Sequence, residues 1–446
     1  MKARHLYWLG FVIIAGLFIF VEAPGLANQD VGDEWVYYYM SKQVTQGKLP
    51  YRDFFYAHPP LQLLLYILPI KISVLAVKLI PFLSILGTGL LVFLLPKKRL
   101  TGLIAAFLFF TSYSVMLEAT YGIGVCEATL LIILGVSLLT KGRLFWAGLF
   151  LGLAGMMRTY ALIPAIVIMG WVFLKDRKRL YETGLGFIIG YIVPFLVLLA
   201  AFKGEFFIQV FSYHLLKPRA ASNVIEVFVD VVIRNLPLYI SAALIFLTRK
   251  KKATAFFGTV AVVYLVFLLM LNKIFNYYFV MSAPFLAIVG GIALTTLLKK
   301  RCWKYIILVG VMMALWSTAA DSLYLRKIDF SQFDDGITLA KELGNRAGPG
   351  DCIFGDDSTA TMFTFHSGLE VCDSFIDTNQ MRFLAGLASE EEVAIKISEG
   401  EYDWVILRPL QGIGSIPKVF SAAEESCETI RRLDDPLRGT FILYKC

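Results

Sequence analysis

Apolar runs of roughly 17 to 25 residues, each closed by a knot of Lys and Arg, recur from residue 6 to residue 320, and that length suits helices that cross a bilayer. The knots are Lys2/Arg4, Lys97-Lys98-Arg99, Lys141/Arg143, Lys175/Arg177-Lys178-Arg179, Arg249-Lys250-Lys251-Lys252 and Lys299-Lys300-Arg301/Lys304. Basic loops stay on the cytoplasmic side. Threading spans between them gives 6–22, 74–95, 100–117, 126–140, 144–157, 160–174, 184–202, 235–248, 254–271, 279–298 and 304–320, about eleven in all, with the N-terminus inside and the C-terminal region outside. The first run, Leu6 to Val21, reads as an uncleaved anchor because no clear small-x-small site precedes the acidic stretch; cleavage near Gly25-Leu26-Ala27 is the alternative.

One stretch breaks the rhythm. Leu144 to Leu174 has basic residues at both ends, so it crosses an even number of times, yet it is too short for two full spans. It reads as two short helices turning at Met157-Arg158-Thr159-Tyr160, inside a protein-lined cavity where irregular backbone is tolerated. Arg158 is then a cation within that cavity.

Composition agrees with the pattern. Of 446 residues, 58% are hydrophobic and 17% charged, against about 45–50% and 25% in soluble domains, which excludes a single soluble domain. Residues 1–320 carry a net charge of +18 and residues 321–446 a net −10. The basic excess sits in short loops between spans, so it reports topology and gives a nucleic-acid partner no support.

Ten of the twelve acids in residues 1–320 fall on the outward side. The first outer segment, 23–73, is much longer than a connector requires, and long ordered loops usually carry function. It contains Asp33-Glu34 entering an aromatic, helix-like stretch expected to lie along the membrane interface, then Tyr51-Arg52-Asp53-Phe54-Phe55 and His58-Pro59-Pro60. Locally, Asp33 and Glu34 read as charges favoured by a helix N-terminus. Glu118 and Glu127, which bracket a Gly-containing turn with apolar flanks, change that weighting, because carboxylates at such depth serve function or pair with a cation such as Arg158. His58 is either an ordinary interface residue or, with Arg52, a hydrogen-bond donor or cation for a phosphate. Lys217 and Arg219 after Tyr213-His214, and Lys273 before Asn276-Tyr277-Tyr278, read as anchors of their spans or as attractors of an anionic headgroup.

GDEWVYYY, LPYRDFFYAHPPL, GLFLGLAGMMRTYALIPA and NYYFVMSAPFLAIVGG, in this order, resemble the GT-C class of polyprenyl-phosphate-sugar-dependent glycosyltransferases, especially the family 39-like protein O-mannosyltransferases and lipid A aminoarabinose transferases. LPYRDFF followed by HPPL is the most specific element. The resemblance implies a polytopic α-helical membrane protein with a GT-C-like domain over 1–320. It implies a sugar donor on polyprenyl (dolichyl or undecaprenyl) phosphate and a protein, lipid or glycan acceptor. By position it assigns catalysis to Asp33, with Glu34 and Glu127 in support. Donor-phosphate binding falls to His58, Arg52 and Arg158, and sugar or acceptor binding to Glu118, Tyr160, Tyr277 and Tyr278. His58 stands where the aminoarabinose transferases have Lys. Such a transfer needs a carboxylate to take the acceptor proton and cations to stabilise the leaving phosphate; single displacement with inversion is the simplest route, with no cofactor and no obligatory metal. A lipid flippase or transporter is the competing reading, and no inverted repeat supports it.

Residues 321–446 lose the long apolar runs. Phe333 to Arg346 and Glu390 to Ser398 read as helices, and 351–356, 402–407 and 440–444 as strands, predicting a small extracytoplasmic α/β domain. Gly355-Asp356-Asp357 reads as a solvated turn, with a binding loop as the alternative. Cys352, Cys372, Cys427 and Cys446 permit two disulfides in three pairings.

Overall fold

The computed structural model describes residues 2–27, 29–218, 221–248, 251–299, 310, 333–436 and 438–446. The expected span at 304–320, the boundary at 320/321, Arg219 and Cys302 lie outside these residues.

The membrane part opens with α1 (Lys2–Ala27), α2 (Asp33–Thr45), α3 (Leu61–Ile72), α4 (Val74–Leu94), α5 (Arg99–Phe110), α6 (Tyr113–Glu118), α7 (Val125–Thr140), α8 (Leu144–Met157) and α9 (Leu162–Lys175). It continues through α10 (Arg177–Phe187), α11 (Val193–Phe207), α12 (Tyr213–Leu216), α13 (Ala221–Arg234), α14 (Leu236–Ala243), α15 (Lys251–Met270) and α16 (Ala283–Lys299). Among the described residues, His5–Ala27, Val74–Leu94 and Arg177–Leu216 are each long and apolar enough to cross a membrane alone, and the other apolar helices are shorter.

Helices α8 and α9 are the short pair that the basic clusters required. Each has 14 residues, about 21 Å at the α-helical rise and less than a hydrocarbon core. A single 3-10 turn, Thr159–Ala161, joins them just after Arg158. Gly152 of α8 meets the backbone of the π turn after α10 so closely that an added Cβ would lie 2.9 Å from the Gly190 carbonyl carbon, which is how small residues let membrane helices approach.

Two spans differ from expectation. The stretch expected to end at residue 202 runs on to Leu216 through two π turns, Ile188–Ile192 and Ile208–Ser212, with the helix broken at Lys203. The stretch expected to begin at 235 is one arm of a pair bent by 80°. Asn235 sits at the bend, donating to the Val231 carbonyl and bonding Ser112 and Ser114, while Pro237 supplies no N–H to continue the ladder.

The C-terminal part is a mixed five-stranded sheet in the order β2-β1-β3-β5-β4, built from β1 (Cys352–Gly355), β2 (Glu370–Val371), β3 (Trp404–Leu407), β4 (Glu428–Asp435) and β5 (Gly439–Lys445). β1 pairs parallel with β2 and β3, and β5 pairs antiparallel with β3 and β4. The four fully buried residues of β3, Trp404-Val405-Ile406-Leu407, mark it as the central strand. Disulfides join Cys352 to Cys372 and Cys427 to Cys446.

Helix α2 holds the two parts together. The aromatics that suggested an interfacial helix are instead buried inside protein: Trp35, Tyr38 and Tyr39 are 1% exposed or less. Trp35 packs its ring 5.4 Å from Phe365 of the helix Asp357–Ser367, Tyr39 bonds Glu370 and accepts from the Val371 N–H, and Gln43 donates to Glu370 at 2.7 Å. The correction has a simple cause. An aromatic, amphipathic helix satisfies the same pattern whether it covers lipid or a second layer of protein.

Toward the bundle, Glu34 pairs with Lys78 of α4 at 2.7 Å and also accepts from Tyr38 Oη and the Gly122 N–H. Both charged side chains are almost fully buried. Breaking such a pair from one side leaves an uncompensated charge and costs about 3–5 kcal/mol. Lys78→Met is therefore expected to lower unfolding stability in detergent by roughly that amount, and adding Glu34→Gln to recover most of it; an unchanged midpoint in the single variant would show that the pair does not hold α2.

Candidate active site

Helix periodicity sorts α2 into faces. Asp33, Val36, Tyr37 and Met40, spaced i, i+3, i+4, i+7, all line one cavity between the membrane part and the C-terminal domain. Opposite them the cavity is closed by Tyr56, His58, His214 and Lys217, by Tyr277 and Tyr278, and by Asp357 and Asp377 of the C-terminal domain. Asp33 opens into this space and its backbone N–H is held by Tyr121 Oη at 2.7 Å.

Behind Tyr37 stands Arg158. Its guanidinium carbon lies 4.8 Å from the centre of the Tyr37 ring, and Nη2 donates to Gln62 Oε1 at 2.7 Å. The side chain is 2% exposed and Nε has no hydrogen-bond partner among the described residues. No carboxylate of those residues lies within ion-pair distance of it. Gln62 in turn donates to the Gly122 carbonyl at 2.9 Å, tying α3 to the turn before α7. That turn ends at Gly124, whose φ of +78° favours glycine and where an added Cβ would sit 3.1 Å from Arg158 Nε.

His58 is placed by its loop. Tyr51, at φ +68°, turns the chain so that its hydroxyl donates to the His58 carbonyl at 2.6 Å, while Gln209 in the second π turn accepts from the Tyr56 N–H and donates to the Tyr51 carbonyl. The His58 ring stacks on His214 at 5.5 Å with Nδ1 unpartnered among the described residues. Burial, aided by Arg158, His214 and Lys217, holds the His58 imidazole well below its usual pKa. It is thus a neutral hydrogen-bonding group and not the cation that one sequence reading allowed. Lys217, read from the sequence as an anchor of its span or an attractor of an anionic headgroup, is a cation lining the cavity with Nζ 4.2 Å from the centre of the Tyr213 ring; burial pulls its ammonium down to about 8, with Lys273 adding to the shift and Asp377 and Asp33 opposing it.

Burial, then the negative charges of Asp377 and Asp356, push the Asp33 carboxyl above the usual range against the pull of Arg158 and Arg408. The side chain reaches the cavity, but the protein around it replaces most of its bulk water, so a raised proton affinity follows.

The remaining expected residues separate. Tyr160, Tyr277 and Tyr278 join the site: the Tyr160 and Tyr278 rings are 4.6 Å apart, and the Tyr160 hydroxyl is buried without a hydrogen-bond partner among the described residues. Glu127 lies deeper, bonded by Tyr66 Oη at 2.7 Å with Oε2 unpartnered among them. Glu34 has both oxygens committed to Lys78, Tyr38 and Gly122, and Glu118 is buried on α6 beside Tyr121. Arg52 is not brought together with His58 and Arg158. It is exposed, pairs with its neighbour Asp53, and lines a separate cavity of about 750 Å³ together with the rest of residues 51–55. Asp377 is the cavity residue that sequence reasoning missed; Asp357 belongs to Gly355-Asp356-Asp357, whose first reading as a solvated turn gives way, by its place in the cavity wall, to the alternative of a binding loop.

No protein-family model matches the sequence, and no curated protein matches it by sequence. Solved structures do match in fold. ArnT from Cupriavidus metallidurans, bound to undecaprenyl phosphate, superposes with a TM-score of 0.68 at 12% identity over 97% of each chain. Its apo form gives 0.68 at 13% identity over 100% of this chain and 98% of that one. The GT-C fold expected from the sequence is the fold of this chain. The archaeal oligosaccharyltransferase AglB from Archaeoglobus fulgidus, in complex with an inhibitory peptide and a dolichol-phosphate, matches at a TM-score of 0.55 and 12% identity over 98% of this chain and 74% of that one.

Within this GT-C frame, a buried cation without a carboxylate partner costs stability. Arg158→Met is expected to leave the unfolding midpoint unchanged or higher, in contrast to Lys78→Met. A marked loss of stability, measured by thermal unfolding in detergent, would make Arg158 a structural residue.

Proposed function

We propose that this protein is an integral membrane glycosyltransferase that moves a sugar from a polyprenyl (dolichyl or undecaprenyl) phosphate to a protein, lipid or glycan acceptor of the cell envelope, on the outer face of the plasma membrane. One observation carries the reading: a carboxylate, Asp33, lines the cavity beside Tyr37, and a buried guanidinium without a carboxylate partner among the described residues, Arg158, lies 4.8 Å from the centre of the same Tyr37 ring. A transfer from a lipid phosphate needs this pairing of proton acceptor and anion anchor. The ligands of the fold neighbours, undecaprenyl phosphate in ArnT and dolichol-phosphate in AglB, support the donor class.

In this mechanism the acceptor hydroxyl approaches Asp33, which takes its proton as the oxygen attacks the anomeric carbon. The bond from that carbon to the phosphate oxygen breaks with its electron pair on the phosphate, inverting the centre. Arg158 and Lys217 meet the charge that develops, and neutral His58 offers a hydrogen bond through the unpartnered side of its ring. Cations of the protein thus fill the role that a metal would fill, so the scheme needs no obligatory metal or other cofactor. Tyr160, Tyr277 and Tyr278 form the aromatic wall against which the sugar rests, and Glu127 is a second carboxylate beneath it. Glu34 acts through the position it gives α2.

The same reading places the C-terminal domain outside. Its two disulfides suit an oxidising compartment, and the domain abuts the helix that carries Asp33. The full set of about eleven spans with a cytoplasmic N-terminus follows from the basic loops.

The test is transfer of labelled sugar from a panel of lipid-phosphate donors to envelope acceptors, in membranes with matched expression. Asp33→Asn is expected to reduce transfer by about 10²- to 10⁴-fold, the usual weight of a general base. Absence of transfer by the unaltered protein across the panel, with movement of the lipid-linked sugar between leaflets instead, would favour a flippase.

A further inference from the structure

The C-terminal domain presents a rigid acidic edge to the cavity. The Gly355 carbonyl, at the end of β1, accepts from the Thr378 hydroxyl at 2.6 Å, so the Asp356-Asp357 corner and the Asp377-Thr378-Asn379 loop are fixed side by side. The disulfide from Cys352 to Cys372 ties the start of β1 to the chain just ahead of that loop. Arg382 donates to the Asp377 carbonyl at 2.9 Å while its guanidinium lies 4.6 Å from the Phe55 ring and 4.5 Å from Phe375, clamping the loop to the first outer segment. Asp377 accepts from the Asn379 N–H, and no ion pair takes up its carboxylate among the described residues. Asp356, by contrast, gives Oδ1 to Arg408, Ser358 and Thr359, with Oδ2 buried and unpartnered among the described residues. Asp377, Asp357 and Asp33 thus share one cavity, two from one domain and one from the other.

We propose that Asp377 is a positioning residue of the transfer site, supplied by the C-terminal domain, which sets the protonation of Asp33 across the cavity. The inference rests on the reading of Asp33 as the general base. A second carboxylate in the same cavity, itself pushed above its usual range by burial, disfavours the state in which both are ionised, so Asp377 raises the basicity of Asp33, and the domain is a working part of the site and not a cover over it. Other groups bear on Asp33 as well: Arg158 from the turn after α8, Arg408 after β3, Lys217 after α12, Asp356 and Asp357 at the β1 corner, and the phenols of Tyr37, Tyr121 and Tyr277. Asp377 is the foremost negative charge among them.

The sign of the effect is fixed. Removing the Asp377 charge lowers the proton affinity of Asp33, so the base is ionised at lower pH. The acid limb of the kcat/KM profile for transfer is then expected to move to lower pH in Asp377→Asn, with the plateau largely kept, and to return toward its original position in Asp377→Glu. The profiles are measured on full-length protein in membranes, alongside Asp33→Asn. A parallel loss at every pH, or a limb that stays in place, would overturn the role of Asp377 while leaving the transfer reading intact. Full transfer by Asp33→Asn would overturn the reading of the base itself, and with it this inference.

Discussion

A guanidinium buried in the membrane part without a carboxylate beside it is the constraint around which this molecule is arranged. Arg158 sits in the turn between two helices too short to reach the far surface, and everything near it manages one positive charge. Gln62 offers a neutral oxygen, Tyr37 a ring face, and Gly124 the space into which a side chain would intrude. None of these cancels the charge. A cation kept only half satisfied is expensive, and the proposed role of anchoring the donor phosphate gives it a purpose.

Helix α2 converts that constraint into a site. Its first turn places two adjacent carboxylates in opposite roles, since successive side chains on a helix diverge by about 100°. Glu34 turns into the bundle and is neutralised by Lys78, which fixes the helix; Asp33 turns into the cavity and stays available. The aromatic face beyond them clasps the C-terminal domain through Trp35, Tyr39 and Gln43. One short helix therefore connects the fold, the cavity carboxylate and the domain, and a displacement of α2 would be felt at all three.

Much of this was legible in the sequence because charge in a membrane protein is scarce and each instance has a cause. The Arg/Lys knots located the loops, and the stretch between two of them was too short for two full spans, which exposed the α8/α9 turn and Arg158. Asp33, Tyr160, Tyr277 and Tyr278 were named through their positions in the resembling motifs, and Asp33, Tyr277 and Tyr278 line one cavity in the structure. What the sequence could not give was the direction in which neighbours point: Arg52 and His58 are close along the chain, yet residues 51–55 line one cavity and residues 56–58 another. Nor could periodicity distinguish a helix lying on lipid from one packed under a domain. Asp377 was hidden because a polar loop residue is ordinarily solvated, and the same expectation made a solvated turn the first reading of Gly355-Asp356-Asp357; the docking of the domain onto α2 makes Asp357 and Asp377 part of a cavity wall.

The most direct test of this arrangement is the affinity of the purified, detergent-solubilised protein for undecaprenyl phosphate, compared between the unaltered chain and Arg158→Met. If Arg158 is the anion anchor, the variant stays folded and binds at least about tenfold more weakly, a loss of some 1.4 kcal/mol. Equal affinity in a folded variant would mean that the buried charge serves another purpose and that the phosphate is held elsewhere.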